Sequence, residues 1–143
     1  MIVLDTNVVS EMMRPAPHLT VLNWLNAQVA DELWLNSIVV SELLFGIARL
    51  PSGARKRQLA GTFVAMLEQD FAGRILSFDL EAAVIYAELA AGREAKGRPV
   101  AMADAQIAAI GLAQGAKLAT RNVKHFDGLG LVLVNPWDVA SGN

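Results

Sequence analysis

The chain has 143 residues, of which 54% are hydrophobic and 18% charged, with a formal net charge of −2 and no cysteine. This length fits a single domain over residues 1–143, and so apolar a composition excludes a disordered chain. Without cysteine there are no disulfides, thiolate zinc sites or cysteine nucleophiles. Since no basic leader precedes the first apolar run either, we expect a cytoplasmic location. No apolar run approaches the roughly 18 residues of a membrane span, so no membrane association is expected.

The first half of the chain alternates strands with helices. The predicted elements, in order, are a strand at 2–4, helices at 8–13 and 19–27, a strand at 33–35, and helices at 38–50 and 54–71. Pro15 and Pro17 end the first helix, because proline disfavours helix before it. Ser37 is well placed to cap the helix 38–50. The helix 54–71 is amphipathic, with an apolar face that includes Phe63 and Met66.

The second half continues the alternation. The predicted elements are a strand at 74–77, a helix from Asp79 to about 96, a helix at about 101–114, and strands at 117–120 and 131–134. Asp79 is expected to cap its helix and Gly115 to end the next one. Strands alternating with helices predict an α/β fold, in which a parallel sheet of about five strands is covered by helices on both faces.

Three acidic residues occupy positions that can meet at one edge of this sheet. Asp5 directly follows the first strand, Glu42 lies about one turn into the helix 38–50, and Asp104 lies in the first turn of the helix 101–114. Ligand sites of open parallel sheets lie outside the carboxyl ends of the strands. Right-handed crossovers bring the start of the helix after a strand to that edge. For Asp104 the pattern permits this placement without requiring it.

Each acid also has an ordinary structural explanation. Asp5 can cap a helix, Asp104 can complement a helix dipole for about 0.3–1 kcal/mol, and Glu42 can be solvated. However, the residues around Glu42 and Asp104 are almost wholly apolar, which predicts that both acids are buried and are paired, protonated or bound to a metal. Few basic residues lie nearby in sequence, and converging carboxylates repel one another. A hard divalent cation such as Mg²⁺ resolves that repulsion.

Four motifs occur in order across nearly the whole chain. They are Met1-Ile2-Val3-Leu4-Asp5-Thr6-Asn7-Val8-Val9-Ser10-Glu11, Ser41-Glu42-Leu43, Ala103-Asp104-Ala105-Gln106-Ile107-Ala108-Ala109, and Ala119-Thr120-Arg121-Asn122-Val123-Lys124-His125-Phe126. Together they resemble the PIN-domain proteins, and particularly the VapC-like toxins of toxin–antitoxin pairs. The ending Asn135-Pro136-Trp137 is most similar to the FitB-type branch. The resemblance implies a three-layer α/β/α PIN-like fold and an endoribonuclease that depends on Mg²⁺ or Mn²⁺.

The resemblance also implies a metal site. It maps Asp5, Glu42 and Asp104 onto the acidic cluster of the family. A fourth acid often follows the fourth strand in this family, but Asn122 stands at that position here. Asparagine keeps an oxygen ligand and loses a charge, so a second metal would be held less well. Neither of the two histidines is expected to be a ligand, because the site already has oxygen donors.

Further residues are candidates for catalysis and RNA binding. Thr6 and Thr120 can orient the attacking water or a phosphate, although hydroxyls at strand ends bond local backbone equally often. Arg121 and Lys124 lie in the last of the four motifs, beside Thr120 and Asn122 of the proposed site, so they are the predicted phosphate contacts. Such contacts and a bound metal would offset the net charge of −2, which otherwise counts against an RNA partner.

The expected partners are RNA, a cognate antitoxin and a second copy of the chain. An antitoxin of this family typically inserts a helix or extended segment into a groove near the acids, and the apolar excess suggests a homodimer or higher assembly. Two other functions stay open. One is a catalytically weak or inactive PIN-like module that acts through antitoxin or RNA binding, to which Asn122 gives weight. The other is a phosphoryl enzyme with Asp5 as nucleophile, which usually needs a second Asp where Asn7 stands.

Overall fold

The centre of the computed structural model, which describes residues 1–138, is a five-stranded parallel sheet in the order β3-β2-β1-β4-β5. The strands are β1 (Ile2–Leu4), β2 (Leu33–Asn36), β3 (Ile75–Leu76), β4 (Lys117–Ala119) and β5 (Leu133–Val134). Every neighbouring pair is parallel. The predicted five-stranded parallel sheet is therefore confirmed, although the two edge strands are shorter than predicted.

Seven α-helices flank the sheet in residues 1–138. They are α1 (Thr6–Met12), α2 (Leu19–Ala27), α3 (Ser37–Ala48), α4 (Ala54–Ala65), α5 (Leu80–Ala95), α6 (Met102–Gln114) and α7 (Val123–Phe126), with a short 3₁₀ turn at Ala30–Glu32. The six predicted helices are all present, and the α/β fold is confirmed. The α7 helix and the 3₁₀ turn were not predicted because one turn is too short to show a helical period.

Helix caps account for two of the boundaries. The prediction that Ser37 caps α3 is wrong. The cap is Asn36, whose Oδ1 accepts a hydrogen bond of 2.8 Å from the Val39 backbone N–H. The predicted cap of α5 is confirmed, because Oδ1 of Asp79 accepts from Ala82 N at 2.9 Å.

The predicted single helix over 54–71 is wrong at its C-terminal end. The α-helix stops at Ala65, and Met66–Asp70 form a wider π-helical turn. The Phe71 N–H donates to the Met66 carbonyl five residues earlier. Residues five apart face different directions in an α-helix of 3.6 residues per turn. The wider turn lets Met66 and Phe71 both enter the core.

The order of the strands creates one switch point in the sheet. From β1 the chain moves outward through β2 and β3, and then returns to the other side of β1 with β4 and β5. Asp5 and Thr120 directly follow β1 and β4, and the Asp5 N–H donates to the Ala119 carbonyl at 2.9 Å. In open parallel sheets, ligands bind in the crevice at this point.

Apolar side chains fill the space between the sheet and the helices. Among the largest fully buried ones are Leu4 and Leu35 of the sheet, Ile107 of α6, and Phe63 and Phe126. Within residues 1–138, no helix combines the length and the apolar character needed to cross a bilayer. The apolar core ends at the carboxyl edge of the sheet, where the polar residues Asp5 and Thr120 follow the strands.

Candidate active site

Asp5 is the most buried of the three candidate acids, with only 5% of its surface exposed. Its Oδ1 accepts from the Thr6 N–H at 2.9 Å and so caps α1. Its Oδ2 accepts from the Thr120 hydroxyl at 2.8 Å and from the Asn7 side-chain amide at 3.3 Å. An ionised carboxylate offers about four lone pairs. Capping therefore explains one oxygen of Asp5, and the carboxylate keeps capacity for a further ligand.

Thr120 and Asn7 connect the ends of β1 and β4. The buried Thr120 hydroxyl, which donates to Asp5, accepts from the backbone N–H of Asn122 at 3.0 Å. The Asn7 side chain spans the same gap, because its Oδ1 accepts from the Arg121 N–H at 3.0 Å. Sequence reasoning missed Asn7. Its only local signal is an amide two residues after a capping Asp, and its partner lies 114 residues away.

Glu42 meets Thr6 across the gap between α3 and α1. The Thr6 hydroxyl donates to Oε1 of Glu42 at 3.0 Å. The prediction that Glu42 lies among buried neighbours is wrong, because Leu44 and Phe45 are 42% and 63% exposed and Glu42 itself is exposed. Only one face of α3 is buried, formed by Val39, Leu43 and Ile47. An almost continuous apolar run concealed this period.

Asp104 is half-buried in the first turn of α6, with 24% of its side chain exposed. The residues that follow it are buried as predicted, including Ala105 and Ile107. Nδ1 of His125 lies 3.5 Å from Oδ2 of Asp104. Sequence reasoning did not pair these two residues, because His125 belongs to the unpredicted helix α7.

The three carboxylates act on one another electrostatically. Although Glu42 is exposed, the protein around its carboxyl group partly desolvates it, which raises its pKa; the hydrogen bond from Thr6 opposes this, and the charges of Asp5 and Asp104 add to it. Burial likewise raises the pKa of Asp104, the charge of Asp5 raises it further, and His125 lowers it. The acids therefore lie within range of mutual repulsion, as expected for a site that gathers negative charge.

The other predicted site residues lie around this cluster. Asn122 is exposed and joins the network through its backbone N–H, while its side chain makes no hydrogen bond with residues 1–138. Lys124 is exposed on α7 and forms no ion pair in the described part of the chain. The guanidinium carbon of Arg121 lies over the Trp137 ring, 4.9 Å from its centroid. None of these three side chains forms a hydrogen bond or an ion pair with Asp5, Glu42 or Asp104.

A family model described as the PIN domain matches residues 2–129. The chain belongs to the PIN-domain family. It is 41% identical to the VapC ribonuclease Y4jK of Sinorhizobium fredii, over 98% of this chain and 100% of that protein. It is 38% identical to the toxin FitB of Neisseria gonorrhoeae, over 96% of this chain and 99% of the relative. The crystal structure of FitAcB from Neisseria gonorrhoeae superposes with a TM-score of 0.84, at 37% identity, covering 97% of this chain and 100% of that one.

PIN-domain ribonucleases are metal-dependent in general, and the donor set here fits a hard cation. In residues 1–138 no three acidic or histidine side chains converge closely enough to coordinate one ion together. Mg²⁺ is commonly held by one or two carboxylates while it keeps several waters. Asp5 and its neighbouring carboxylates offer that kind of site, and a cation there would offset both the burial and the mutual repulsion that raise the pKa values of Glu42 and Asp104.

The Thr120 hydroxyl is expected to matter for stability as well as for the site. Thr120→Val keeps the shape of the side chain but leaves Oδ2 of Asp5 without its shortest donor and the Asn122 N–H without its acceptor. Losing partners for buried polar groups costs roughly 1–3 kcal/mol of the free energy of unfolding, which urea denaturation would measure. Thr62→Val, at an exposed position of α4, is the control and should stay within about 0.5 kcal/mol of wild type. Equal losses in both variants would contradict a role for the Thr120 network.

Proposed function

We propose that this PIN-domain protein is a Mg²⁺- or Mn²⁺-dependent endoribonuclease, and that it is the toxin of a toxin–antitoxin pair. The observation that carries the proposal is the gathering of Asp5, Glu42 and Asp104 at the switch point of the sheet, where their charges act on one another. The relatives named VapC ribonuclease and toxin FitB support the activity and the biological role.

Asp5 and Asp104 are the proposed principal ligands of the metal, and Glu42 is a ligand either directly or through water. A bound divalent cation would polarise the phosphodiester. It would also lower the pKa of a water molecule bound to it, so that hydroxide becomes available near neutral pH. The Thr120 hydroxyl holds the Asp5 carboxylate in its orientation at 2.8 Å. The Thr6 hydroxyl does the same for Glu42 at 3.0 Å.

Substrate binding is assigned to basic and polar residues on the β4 side of the site. Arg121 and Lys124 are the proposed phosphate contacts, because both are exposed cations on the segment that follows β4. Asn122 is proposed to take the place of a fourth acidic ligand with an uncharged oxygen. These contacts supply local positive charge to a protein whose net charge is −2.

The antitoxin is proposed to occupy a groove between α1, α3 and α4, with a volume of about 760 Å³. Thr6 and Glu42 line this groove, so a segment bound there would lie against the acidic site. The apolar part of the lining includes Leu43, Ile47 and Leu59. An amphipathic segment that buries its apolar face in such a groove is a common mode of recognition.

A bulky residue at Gly46 is expected to block antitoxin binding. Gly46 lines the groove on α3, and a Cβ added there meets no atom within 4 Å, so Gly46→Tyr can fold and fill the space. We expect it to weaken binding of the cognate antitoxin at least about tenfold, because the ring would occupy space that the bound segment needs. Isothermal titration calorimetry would measure this.

Gly61→Tyr is the matched control. Gly61 also lies in a helix with open space at its Cβ position, and it does not line the groove. It should bind the antitoxin as wild type does. If the two tyrosine variants bind equally well, the groove is not the antitoxin site.

The nuclease proposal is tested by incubating purified protein with structured and single-stranded RNAs in Mg²⁺, in Mn²⁺ and in EDTA. We expect cleavage with either metal and none in EDTA. If no RNA is cut in a metal-dependent way, the protein is instead a binding module, an alternative supported by the uncharged Asn122 and by the absence of a preassembled three-ligand group in residues 1–138.

The proposal extends to assembly and location. Large apolar side chains such as Leu80 and Met102 are 81% and 64% exposed, and such surfaces are often covered by a second copy. A homodimer or higher assembly is therefore proposed, which light scattering would detect. A cytoplasmic location is proposed because the proposed substrate is cellular RNA.

A further inference from the structure

We propose that the turn Asn135-Pro136-Trp137 belongs to the RNA-binding site, and that Trp137 is a positioning residue that holds Arg121 ready for an RNA phosphate. This inference rests on the proposed ribonuclease function and deepens it. It assigns a role to a segment beyond β5 that none of the acidic motifs includes. Four observations on Arg121 and Trp137 carry it.

The first observation is where Arg121 originates. It directly follows Thr120, whose hydroxyl donates to Asp5 at 2.8 Å. Its own backbone N–H donates to Oδ1 of Asn7 at 3.0 Å. The backbone of Arg121 is therefore tied, through Thr120 and Asn7, to the same network that orients Asp5.

The second observation is that the guanidinium has no acidic partner in the part of the chain that the structure describes. Within residues 1–138, no carboxylate oxygen lies within 4.0 Å of it, although its backbone N–H donates to Asn7, whose side-chain amide donates to Asp5. Arg121 is exposed. A long cation beside an acidic cluster would ordinarily turn toward it, because unlike charges attract. Here the Arg121 side chain goes to an aromatic ring instead.

The third observation is the contact itself. The Arg121 guanidinium carbon lies over the Trp137 ring, 4.9 Å from its centroid. Tryptophan is the best aromatic partner for a cation, and such a contact at an exposed site changes an equilibrium constant about two- to fivefold. It restrains a flexible side chain without neutralising its charge, so less ordering is needed when the guanidinium binds a phosphate.

The fourth observation is that Trp137 is itself fixed. Its backbone N–H donates to Oδ1 of Asn135 at 3.0 Å, and the side-chain amide of Asn135 donates to Asp138 at 3.0 Å. The indole is partly buried against the core. Because β5 pairs with β4, this turn lies at the carboxyl edge of the sheet beside the segment that carries Arg121. The ring is thus a rigid support for the guanidinium.

The test measures RNA affinity without metal, so that it does not depend on catalysis. A short fluorescein-labelled single-stranded RNA is titrated in EDTA at several salt concentrations, and binding is followed by fluorescence anisotropy. Arg121→Gln should weaken binding about fivefold to tenfold and reduce the salt slope by about 0.7, the value for one phosphate contact on a single strand. Trp137→Leu should weaken binding about two- to fivefold, and Trp137→Phe should stay within about twofold of wild type.

Lys117→Gln is the matched control for charge. Lys117 begins β4 at the opposite edge of the sheet, whereas Arg121 follows the end of that strand, and both are exposed. Its loss removes the same charge but should leave RNA affinity within about twofold. Circular dichroism and thermal unfolding establish that each variant is folded, and the Trp137→Phe variant keeps the test decisive if Trp137→Leu is unstable.

The double variant separates positioning from a general effect on structure. If Trp137 acts through Arg121, adding Trp137→Leu to Arg121→Gln weakens RNA binding no further, and in Mg²⁺ Trp137→Leu raises KM while kcat is kept. Additive losses, or wild-type affinity in Trp137→Leu, overturn the inference. Metal-dependent cleavage by the wild type would still stand in that case, so failure of this inference is distinct from failure of the nuclease proposal.

Discussion

Asp5→Asn is expected to reduce the metal-dependent cleavage of RNA by about a thousandfold or more, because it removes the charge of a proposed principal metal ligand. The variant keeps the oxygen that accepts from the Thr6 N–H. Its new amide would face the donors of Thr120 and Asn7, which costs roughly 1–3 kcal/mol of stability. Single-turnover cleavage of a labelled RNA in Mg²⁺ would measure the rate, and circular dichroism would establish that the variant is folded.

Asp70→Asn provides the control for loss of one carboxylate. Asp70 is exposed in the π-helical turn before β3, away from the carboxyl edge of the sheet. It should cleave RNA at the wild-type rate. If the wild type cleaves RNA no faster than Asp5→Asn does, catalysis at this site is contradicted and the binding module is favoured.

Asp104→Asn is expected to abolish the stabilisation of the protein by Mg²⁺ or Mn²⁺. A ligand at a hundred times its Kd stabilises the folded state by about 2.7 kcal/mol, which corresponds to roughly 5–10 °C in Tm for a chain of this size. The wild type should show such a shift as metal is added, and Asp104→Asn should show little. Differential scanning fluorimetry across a metal titration would measure both, with Asp70→Asn expected to behave as wild type.

Without metal the same substitution should act in the opposite direction. Burial and the charge of Asp5 raise the pKa of Asp104 above its ordinary value, so the folded state holds this proton more tightly than the unfolded state does. The resulting stability is present below the unfolded pKa of about 3.8 and is lost as the pH rises through the raised value. At pH 7, Asp104→Asn should therefore be at least as stable as wild type.

The explanation is tested by the pH dependence of the difference in stability between Asp104→Asn and wild type. The difference in free energy of unfolding between Asp104→Asn and wild type should grow in favour of the variant from about pH 4 to pH 7 in EDTA, since only the wild type loses the proton. The contact with His125, 3.5 Å away, opposes this effect but is the weakest of the three influences on the pKa of Asp104. A large loss of stability in the variant at pH 7 would indicate a structural ion pair instead of a metal ligand.

The fold was largely predictable because its elements leave local patterns. β-Branched runs located the strands, and the caps at Asp79 and Gly115 located helix ends. Errors arose where a local pattern was ambiguous. Asn36 and Ser37 are both good caps, and their choice depends on the backbone at the end of β2, which sequence does not display. The exposed Phe45 was taken as buried because the residues of α3 are apolar on both faces.

The acids of the site were predictable from the sequence, but the residues that contact and orient the site were not. Asp5 and Asp104 stand in recognisable motifs at element boundaries. The contacts of Asn7 with the Arg121 backbone and of Arg121 with Trp137 depend on which strand ends meet in space. Such contacts have no local sequence pattern, because each joins segments on separate strands. The His125–Asp104 contact is hidden for the same reason.

The hydrogen bond between Thr120 and Asp5 spans 115 residues, and this separation has a consequence for synthesis on the ribosome. β1 lies between β2 and β4, so one of its edges stays unpaired in a nascent chain that has not reached residue 117. Until Thr120 has emerged, nothing on the β4 side orients the Asp5 carboxylate. We therefore expect the Asp5 carboxylate to reach its final orientation only after β4 has been synthesised and has paired with β1.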